Sequence, residues 1–276
     1  MRSEYRIGMS DTPQDVRAAL AATEAERGVF GAQLFYAAEV GSTNDLASAA
    51  AERGVPEGTT FVAGAQTAGR GRLGRTWHSP PGAGLYCSIV VRRASLAPWL
   101  TLAAGVAVAD GIRAATGLPL QIKWPNDLVA VGGAGFKARR KIAGLLAEAS
   151  SGPQGIQYMI LGIGINLSPA AFPAELAGRV GSIEGELSRP VDAGPILATV
   201  LGSLNATLAD LDVSGPERLL ARWMALSPSA HGASIAWDGP SGPLTGVTAG
   251  IDRDGALLAR TADGLARIIA GEVRWV

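Results

Sequence analysis

Apolar positions in this chain follow two rhythms. Some runs are short and dense or alternate in twos; others recur at helical spacing between glycine and proline stops. Segments 34–39, 59–65, 85–92, 141–148 and 156–167 read as strands. Segment 85–92 is apolar almost throughout, as a strand covered on both faces requires. In 120–131, alternation puts Ile122 and Trp124 on one face and Lys123 on the other. Pro125 breaks that ladder and leaves Asn126 and Asp127 at the break, able to face a cleft.

Helical spacing marks five further segments. Thr12-Pro13 reads as an N-cap followed by proline at the first helical position, opening a helix to Arg27 that Gly28 stops. An alanine-rich helix follows Gly41-Ser42-Thr43-Asn44, with Ser42 or Thr43 as its cap, and runs to Arg53. Pro98 opens a long helix to about Thr116 before Gly117. Two more cover 193–211 and 216–226. After Ser227-Pro228 the texture changes to five short β pieces, 233–237, 244–251, 256–260, 266–269 and 273–276, separated by turn residues. This spacing suggests a small β-barrel or sandwich, with a boundary near Ser229 that divides the chain into 1–228 and 229–276. The whole is of the α+β class.

Composition narrows the picture. Hydrophobic content of 47% and charge of 17% over 276 residues describe a globular protein. Twenty-four basic and twenty-four acidic residues cancel, so overall charge signals neither nucleic acid nor membrane. No apolar run is expected to reach membrane-spanning length, and the start lacks a secretion signal. The lone Cys87 excludes an internal disulfide, suits the reducing cytoplasm, and reads as a small buried hydrophobe. His78 and His231 with one cysteine do not make a zinc site.

The chemistry gathers around 66–77, Gln-Thr-Ala-Gly-Arg-Gly-Arg-Leu-Gly-Arg-Thr-Trp. Glycines 69, 71 and 74 allow bending and close approach; Arg70, Arg72 and Arg75 supply planar forks that fit phosphate or carboxylate. The segment reads as a mobile loop that closes over an anion. Gly69-x-Gly71-x-x-Gly74 formally matches the dinucleotide fingerprint, but Trp77-His-Ser-Pro-Pro-Gly follows and cannot form the helix that fingerprint needs. The Walker pattern is absent from the loop. A glycine-rich turn at 132–135 leads to Lys137, Arg139 and Arg140, an ordinary solvated hairpin tip, whereas Lys141 opens a strand that soon turns apolar and can point inward. Gly162 and Gly164 leave one strand face small enough for something flat to lie on. Arginine lid, buried-strand lysine and an Asn-Asp pair suit a nucleotide triphosphate, with aspartate on magnesium and cations on developing phosphate charge. Two or three charge-assisted contacts of roughly 1.5–3 kcal/mol, made only in the transition state, contribute on the order of 10³-fold in rate.

Gly-Arg-Gly-Arg-Leu-Gly-Arg-x-Trp (69–77), Lys-Trp-Pro-Asn-Asp (123–127), Lys-Ile-Ala-Gly-Leu-Leu (141–146) and Gly-Ile-Gly-Ile-Asn (162–166), with Ser42-Thr43-Asn44 ahead of them, resemble biotin protein ligase in order and spacing. The resemblance is close over 34–166 and looser to Val276. It implies a central mixed β-sheet with helices packed on it, of the class II synthetase-like type. That catalytic domain would span 1–228, with a short helical extension at 1–33 and a small C-terminal β-barrel domain at 229–276. It also implies two reactions: biotin's carboxylate attacks the α-phosphate of ATP, and a carrier-domain lysine then takes the biotinyl group from the adenylate.

Carried over by position, Ser42, Thr43 and Gln66 would hold biotin's ureido ring. Arg70 and Arg72 would belong to the ordering loop, with Arg72 near the carboxylate or adenylate phosphate. Trp77, Gly144, Leu145 and Leu146 would line the valeryl pocket, and Gly162 and Gly164 its floor. Lys141 would bridge carboxylate and α-phosphate as the main electrostatic catalyst. Arg75, Lys123 and Asn126 would lie near the nucleotide, Asn166 would read adenine, and Asp127 would hold Mg2+.

Only about thirty residues precede the first strand, which predicts a ligase without a DNA-binding domain. The insertion at 132–140 would lengthen the hairpin before Lys141. Members of the family often pair through a sheet edge, for which 156–161 is the candidate. Two rivals are a lipoate or octanoate ligase of the same fold and a non-catalytic nucleic-acid binder. The polar trio Ser42, Thr43 and Gln66 disfavours the first, and zero net charge the second.

Overall fold

The computed structural model describes residues 11–130, 139–169, 176, 178–239 and 242–276. The expected turn at 132–135, Lys137 and the start of the chain to Met9 lie outside the described residues.

Seven strands form the main sheet: β1 Leu34–Ala37, β2 Thr60–Ala63, β3 Gly84–Val91, β4 Leu120–Lys123, β5 Asp127–Ala130, β6 Lys141–Gly152 and β7 Gly155–Asn166. Their order is β1-β2-β3-β7-β6-β5-β4. Only β1–β2 is parallel, so the sheet is mixed. The apolar run of β3 lies inside it, as expected, and Cys87 is 1% exposed there. Segment 120–131 is a hairpin rather than one broken strand: Lys123 pairs with Asp127 across the Trp124-Pro125-Asn126 turn. Segment 156–161 is an edge only in its first half, where Ile156 and Tyr158 pair with β6 alone. Met159, Ile160 and Leu161 are paired with β3 on one side and β6 on the other. The outermost strands are β1 and β4.

Strand alternation assigns the two sheet faces. Leu85, Cys87, Ile89, Val91, Leu161, Ile163, Ile165, Ala143 and Leu145 face a helical layer. That layer contains α1 Gln14–Ala22, α4 Leu100–Thr116, α6 Ala193–Ser214 and α7 Pro216–Leu226. The opposite face carries Phe61, Val90 and Ile160, covered by Ala47, Ala50 and Ala51 of α3 Thr43–Glu52. Because α3 is only 10 residues long, it covers part of that face and leaves the rest open.

Several boundaries differ from the sequence reading. The first helix is split: Thr23, at φ −123°, ends α1, and α2 Glu24–Arg27 begins behind it. Pro13, not Thr12, is the N-cap residue of α1, so the helix begins one residue later than expected. Short α5 Ile183–Leu187, capped by Ser182, is absent from the sequence reading. The expectation about apolar runs is also corrected. At 22 residues α6 is long and apolar enough to cross a membrane by length and composition alone. Here Ile196, Leu197, Leu201, Leu204 and Leu208 are buried in the core of the fold.

The C-terminal strands β8 His231–Gly239, β9 Gly242–Ile251, β10 Leu257–Thr261, β11 Gly264–Ile268 and β12 Val273–Trp275 make a second, antiparallel sheet. Its order is β11-β10-β9-β8-β12, the small C-terminal β domain that the sequence indicated. It is tied to the β4–β5 hairpin: Trp124 Nε1 donates to Gly255 O at 3.0 Å, and Ser227 Oγ donates to Ile122 O at 2.8 Å. The second sheet therefore lies beside the open part of the main sheet's face.

Candidate active site

That open face is a cavity of about 540 Å³. Its floor is built from residues that alternation places opposite the helical layer. Gly164 pairs with Tyr86 on one side and Gly144 on the other; Gly162 pairs with Ser88 and Leu146. The expected flat object on this platform is a side chain of the protein. A Cβ at Gly164 would come within 2.5 Å of the Trp77 indole, and one at Gly144 within 2.8 Å. A Cβ at Gly162 would meet Asn44 Oδ1 at 2.4 Å. Trp77 thus stands as a wall on a glycine floor, and its Nε1 is buried without a partner among the described residues. Leu146 faces the cavity, but the Leu145 side chain goes to the core on the other face. Leu145 contributes its carbonyl, which accepts from Asn126 Nδ2 at 2.7 Å.

Lys141 reaches the cavity through a bulge. Leu128 pairs with Ala143 and Val129 with Lys141, so Ile142 is the extra residue on β6. Regular alternation would send Lys141 to the helical side with Ala143 and Leu145. The bulge instead buries Ile142 and turns Lys141 inward. Its Nζ lies 2.6 Å from Asp127 Oδ1 and 5.0 Å from the centre of the Trp77 ring.

The loop 66–77 folds back on itself above this floor. Gln66 bridges to Ser79 and Arg70 to Thr76, and Trp77 N donates to Gly69 O at 2.9 Å. Leu73, at φ 56° and 68% exposed, is its tip. Arg70 is pinned by Asp45 and Glu148, each at 2.9 Å. Arg72 donates to Asn126 Oδ1 at 3.3 Å. Burial lowers the Arg72 pKa, with the nearby Asp127 opposing it.

One end of the cavity is strongly cationic. Arg72, Arg75, Lys123, Arg139, Lys141, Arg179 and Arg274 line it, against the carboxylates Asp127 and Glu272. Lys123 sits 4.7 Å above the Trp275 ring, and burial lowers its pKa against the pull of Asp127 and Glu272. Arg75 is paired with Glu272, so the lid is joined to the second sheet. That pairing raises the pKa of Arg75 and lowers that of Glu272. Asn166 is 3% exposed, and its Nδ2 donates to Gly181 O at 3.0 Å and Lys141 O at 3.4 Å.

The other end is polar and neutral. Ser42 is the N-cap residue of α3 but makes no side-chain cap bond. The first turn of α3 brings Thr43 N within 2.9 Å of Gln66 Oε1, while Gln66 Nε2 donates to Ser79 Oγ at 2.9 Å. Beneath lie Ser88, Asn44 and Glu148.

Every residue singled out in the sequence lines this one cavity: Ser42, Thr43, Gln66, Arg70, Arg72, Arg75, Trp77, Lys123, Asn126, Asp127, Lys141, Gly144, Leu146, Gly162, Gly164 and Asn166. Sequence reasoning missed Asn44, Ser88, Glu148, Glu272 and Trp275. Asn44 stood in the recognised Ser42-Thr43-Asn44 block and Glu148 at the end of the strand segment 141–148, but only three-dimensional pairing connects them.

A cavity that joins a neutral polar end to a cationic end holding Lys141 defines a protein that joins a small acid to a nucleotide. Comparison with protein families matches residues 36–166 to the biotin/lipoate A/B protein ligase family and 238–274 to the biotin protein ligase C-terminal domain. The chain is 34% identical over 252 residues to the bifunctional ligase/repressor BirA of Bacillus spizizenii, covering 89% of this chain and 74% of that one. It is 32% identical over 250 residues to the biotin–[acetyl-CoA-carboxylase] ligase of Mycobacterium tuberculosis, covering 87% and 88%. Among solved structures, biotin protein ligase from Aquifex aeolicus in complex with biotin and ATP superposes with a TM-score of 0.74 at 28% identity, covering 89% and 99%. The chain belongs to the biotin protein ligase family.

Proposed function

We propose that this protein activates biotin with ATP to biotinyl-5′-adenylate and transfers the biotinyl group to a lysine of a biotin carboxyl carrier domain. The observation that carries this reading is that one cavity holds the uncharged polar groups of Thr43 and Gln66 together with a cationic cluster of Arg72, Arg75, Lys123 and Lys141, with Lys141 Nζ 5.0 Å from the Trp77 ring centre. An acid whose head occupies the first end places its carboxylate beside Lys141, and a nucleotide held at the second brings its α-phosphate to the same place.

The carboxylate oxygen attacks the α-phosphorus, a P–O bond forms, and the bond to the bridging oxygen breaks to release pyrophosphate. Negative charge grows on the phosphoryl oxygens as this happens. Lys141, Arg72 and Arg75 are already in place to offset it, which is where electrostatic catalysis is strongest. In the second step the carrier lysine's amine attacks the anhydride carbonyl, AMP leaves with the bond electrons, and the amine loses its proton. Gln66 and the α3 turn hold the head, Trp77 walls the chain, and the 66–77 flap keeps water from the anhydride.

Asp127 is the carboxylate we assign to Mg2+. Among the described residues no cluster of three or more His, Cys, Asp or Glu exists, so the fit is to an ion carried mainly by phosphate oxygens and water, with Asp127 one ligand among several. Such an ion would offset phosphate charge. Asn166 is proposed to face adenine through Oδ1, since its Nδ2 is engaged by the backbone. We place the reaction in the cytoplasm. A lipoyl head would bring no polar group to the Ser42, Thr43 and Gln66 end, which a ureido ring does.

Incubation of the protein with biotin, ATP and a carrier domain, followed by mass spectrometry, tests the reading. It expects one biotinyl adduct on one carrier lysine, dependent on ATP. An adduct with lipoate and none with biotin would reject it.

A further inference from the structure

The lid stands on a stem of two limbs, and Arg70 sits in the middle of it. The first limb is stitched to the turn ahead of α3: Thr67 N donates to Val40 O at 2.9 Å and Ala68 N to Gly41 O at 2.8 Å. Gly71 N to Arg75 O at 2.7 Å and Trp77 N to Gly69 O at 2.9 Å join the limbs to each other. The second limb ends in Trp77, so whatever fixes the first limb also fixes the wall of the cavity.

Arg70 and Arg72 are used differently. Arg72 donates to a neutral amide oxygen, Asn126 Oδ1, and makes no ion pair among the described residues. Its charge is left for an arriving anion. Arg70 Nη2 instead lies 2.9 Å from Asp45 Oδ1 and 2.9 Å from Glu148 Oε2. Two carboxylates more than offset one guanidinium.

Both acids are mounted on regular elements. Asp45 stands in the first turn of α3, two residues after Thr43. Glu148 is on β6, and its Oε2 also accepts from Asn44 Nδ2 at 2.6 Å. Asn44 is buried, so this carboxylate is held from inside the fold. The side chains of Arg70, Asp45 and Glu148 are 42%, 62% and 41% exposed, wet enough for salt to weaken the contact. The arrangement is a latch that biases the lid and still lets it open.

We propose that Asp45 and Glu148 are positioning residues for the lid. By gripping Arg70 they hold the first limb against α3 and β6, keep Trp77 on the glycine floor and slow the escape of the adenylate. The adenylate clause rests on the function proposed above.

The lid is read without ligand, by hydrogen exchange of segment 69–77 in the full chain followed by mass spectrometry. Loss of adenylate from the protein is timed separately. In the double variant Asp45→Asn, Glu148→Gln, Asn44 keeps an acceptor. Both rates are expected to rise about three- to tenfold there. Arg70→Ala is expected to give the same rise, and the triple variant no further rise, because all three remove one contact. Wild-type exchange is expected to quicken with added salt, and Arg70→Ala to abolish that response, which a merely structural side chain would not do. Wild-type exchange in the double variant overturns the proposal, as does wild-type exchange indifferent to salt. So does a triple variant in which the separate effects add, since Arg70 would then act through another partner. If thermal unfolding shows that Glu148→Gln does not fold, Asp45→Asn alone decides: faster exchange supports the latch, unchanged exchange overturns it. A wild-type chain that formed no adenylate from biotin and ATP would instead reject the function proposed above, and the ligand-free exchange would still decide the latch.

Discussion

Trp77 packs directly against Gly164, and a single methyl group at that glycine would come within 2.5 Å of the indole. The contact joins the lid's end to the centre of the main sheet. Gly164→Ala is therefore expected to push the indole off the floor, at a cost of about 1–3 kcal/mol in stability and with a higher KM for biotin. Thermal unfolding and steady-state kinetics check this. Wild-type values in both would mean that the indole is not a fixed wall.

Lys141→Ala removes the cation between the two substrates. Single-turnover adenylate formation is expected to fall by about 10²- to 10³-fold, with biotin affinity changed far less, because the head binds at the other end. Rapid-quench measurement of pyrophosphate reads the rate. An unaltered rate would take Lys141 out of the mechanism.

Arg72→Gly removes the lid's contact with Asn126, which is 3.3 Å long. The adenylate is expected to escape faster and to label lysines on bystander proteins. Dialysis retention of radiolabelled adenylate gives the measurement, with increased loss expected.

The Arg75–Glu272 pair gives a pH dependence with a definite sign. Arg75 holds the Glu272 carboxyl below its ordinary 4.5, so the folded form prefers it ionised. Its contribution is complete above 4.5 and is lost as pH falls through the lower, folded-state value. Wild type and Glu272→Gln should differ in Tm by a constant amount at neutral pH. That difference should shrink toward zero in acid. A gap that widens on acidification would contradict the pairing.

Much of the site was legible because its residues sit in contiguous blocks whose chemistry is local: glycine beside arginine in 69–75, or lysine before an apolar strand. What escaped depended on contacts far apart in sequence. Asn44 meets Glu148 across β3 and β7, and the loop arginine Arg75 meets Glu272 of the second sheet. All of segment 156–161 reads as an edge from sequence because sequence shows a strand's texture, not its neighbours. The inward turn of Lys141 was expected, but its cause was hidden, since the bulge at Ile142 is a two-strand property. Thr23 splits the first helix although propensity alone carries it through, a local preference overridden in the folded protein.

The same bulge has a mechanical implication. Lys141 is stitched to the fold from both flanks: Ala130 N holds Arg140 O at 2.9 Å, Lys141 N reaches Arg179 O at 2.9 Å, and Gly181 N returns to Lys141 O at 3.0 Å. Backbone bonds on either flank, to Ala130, Arg179 and Gly181, therefore hold Lys141 in register without any help from its own side chain.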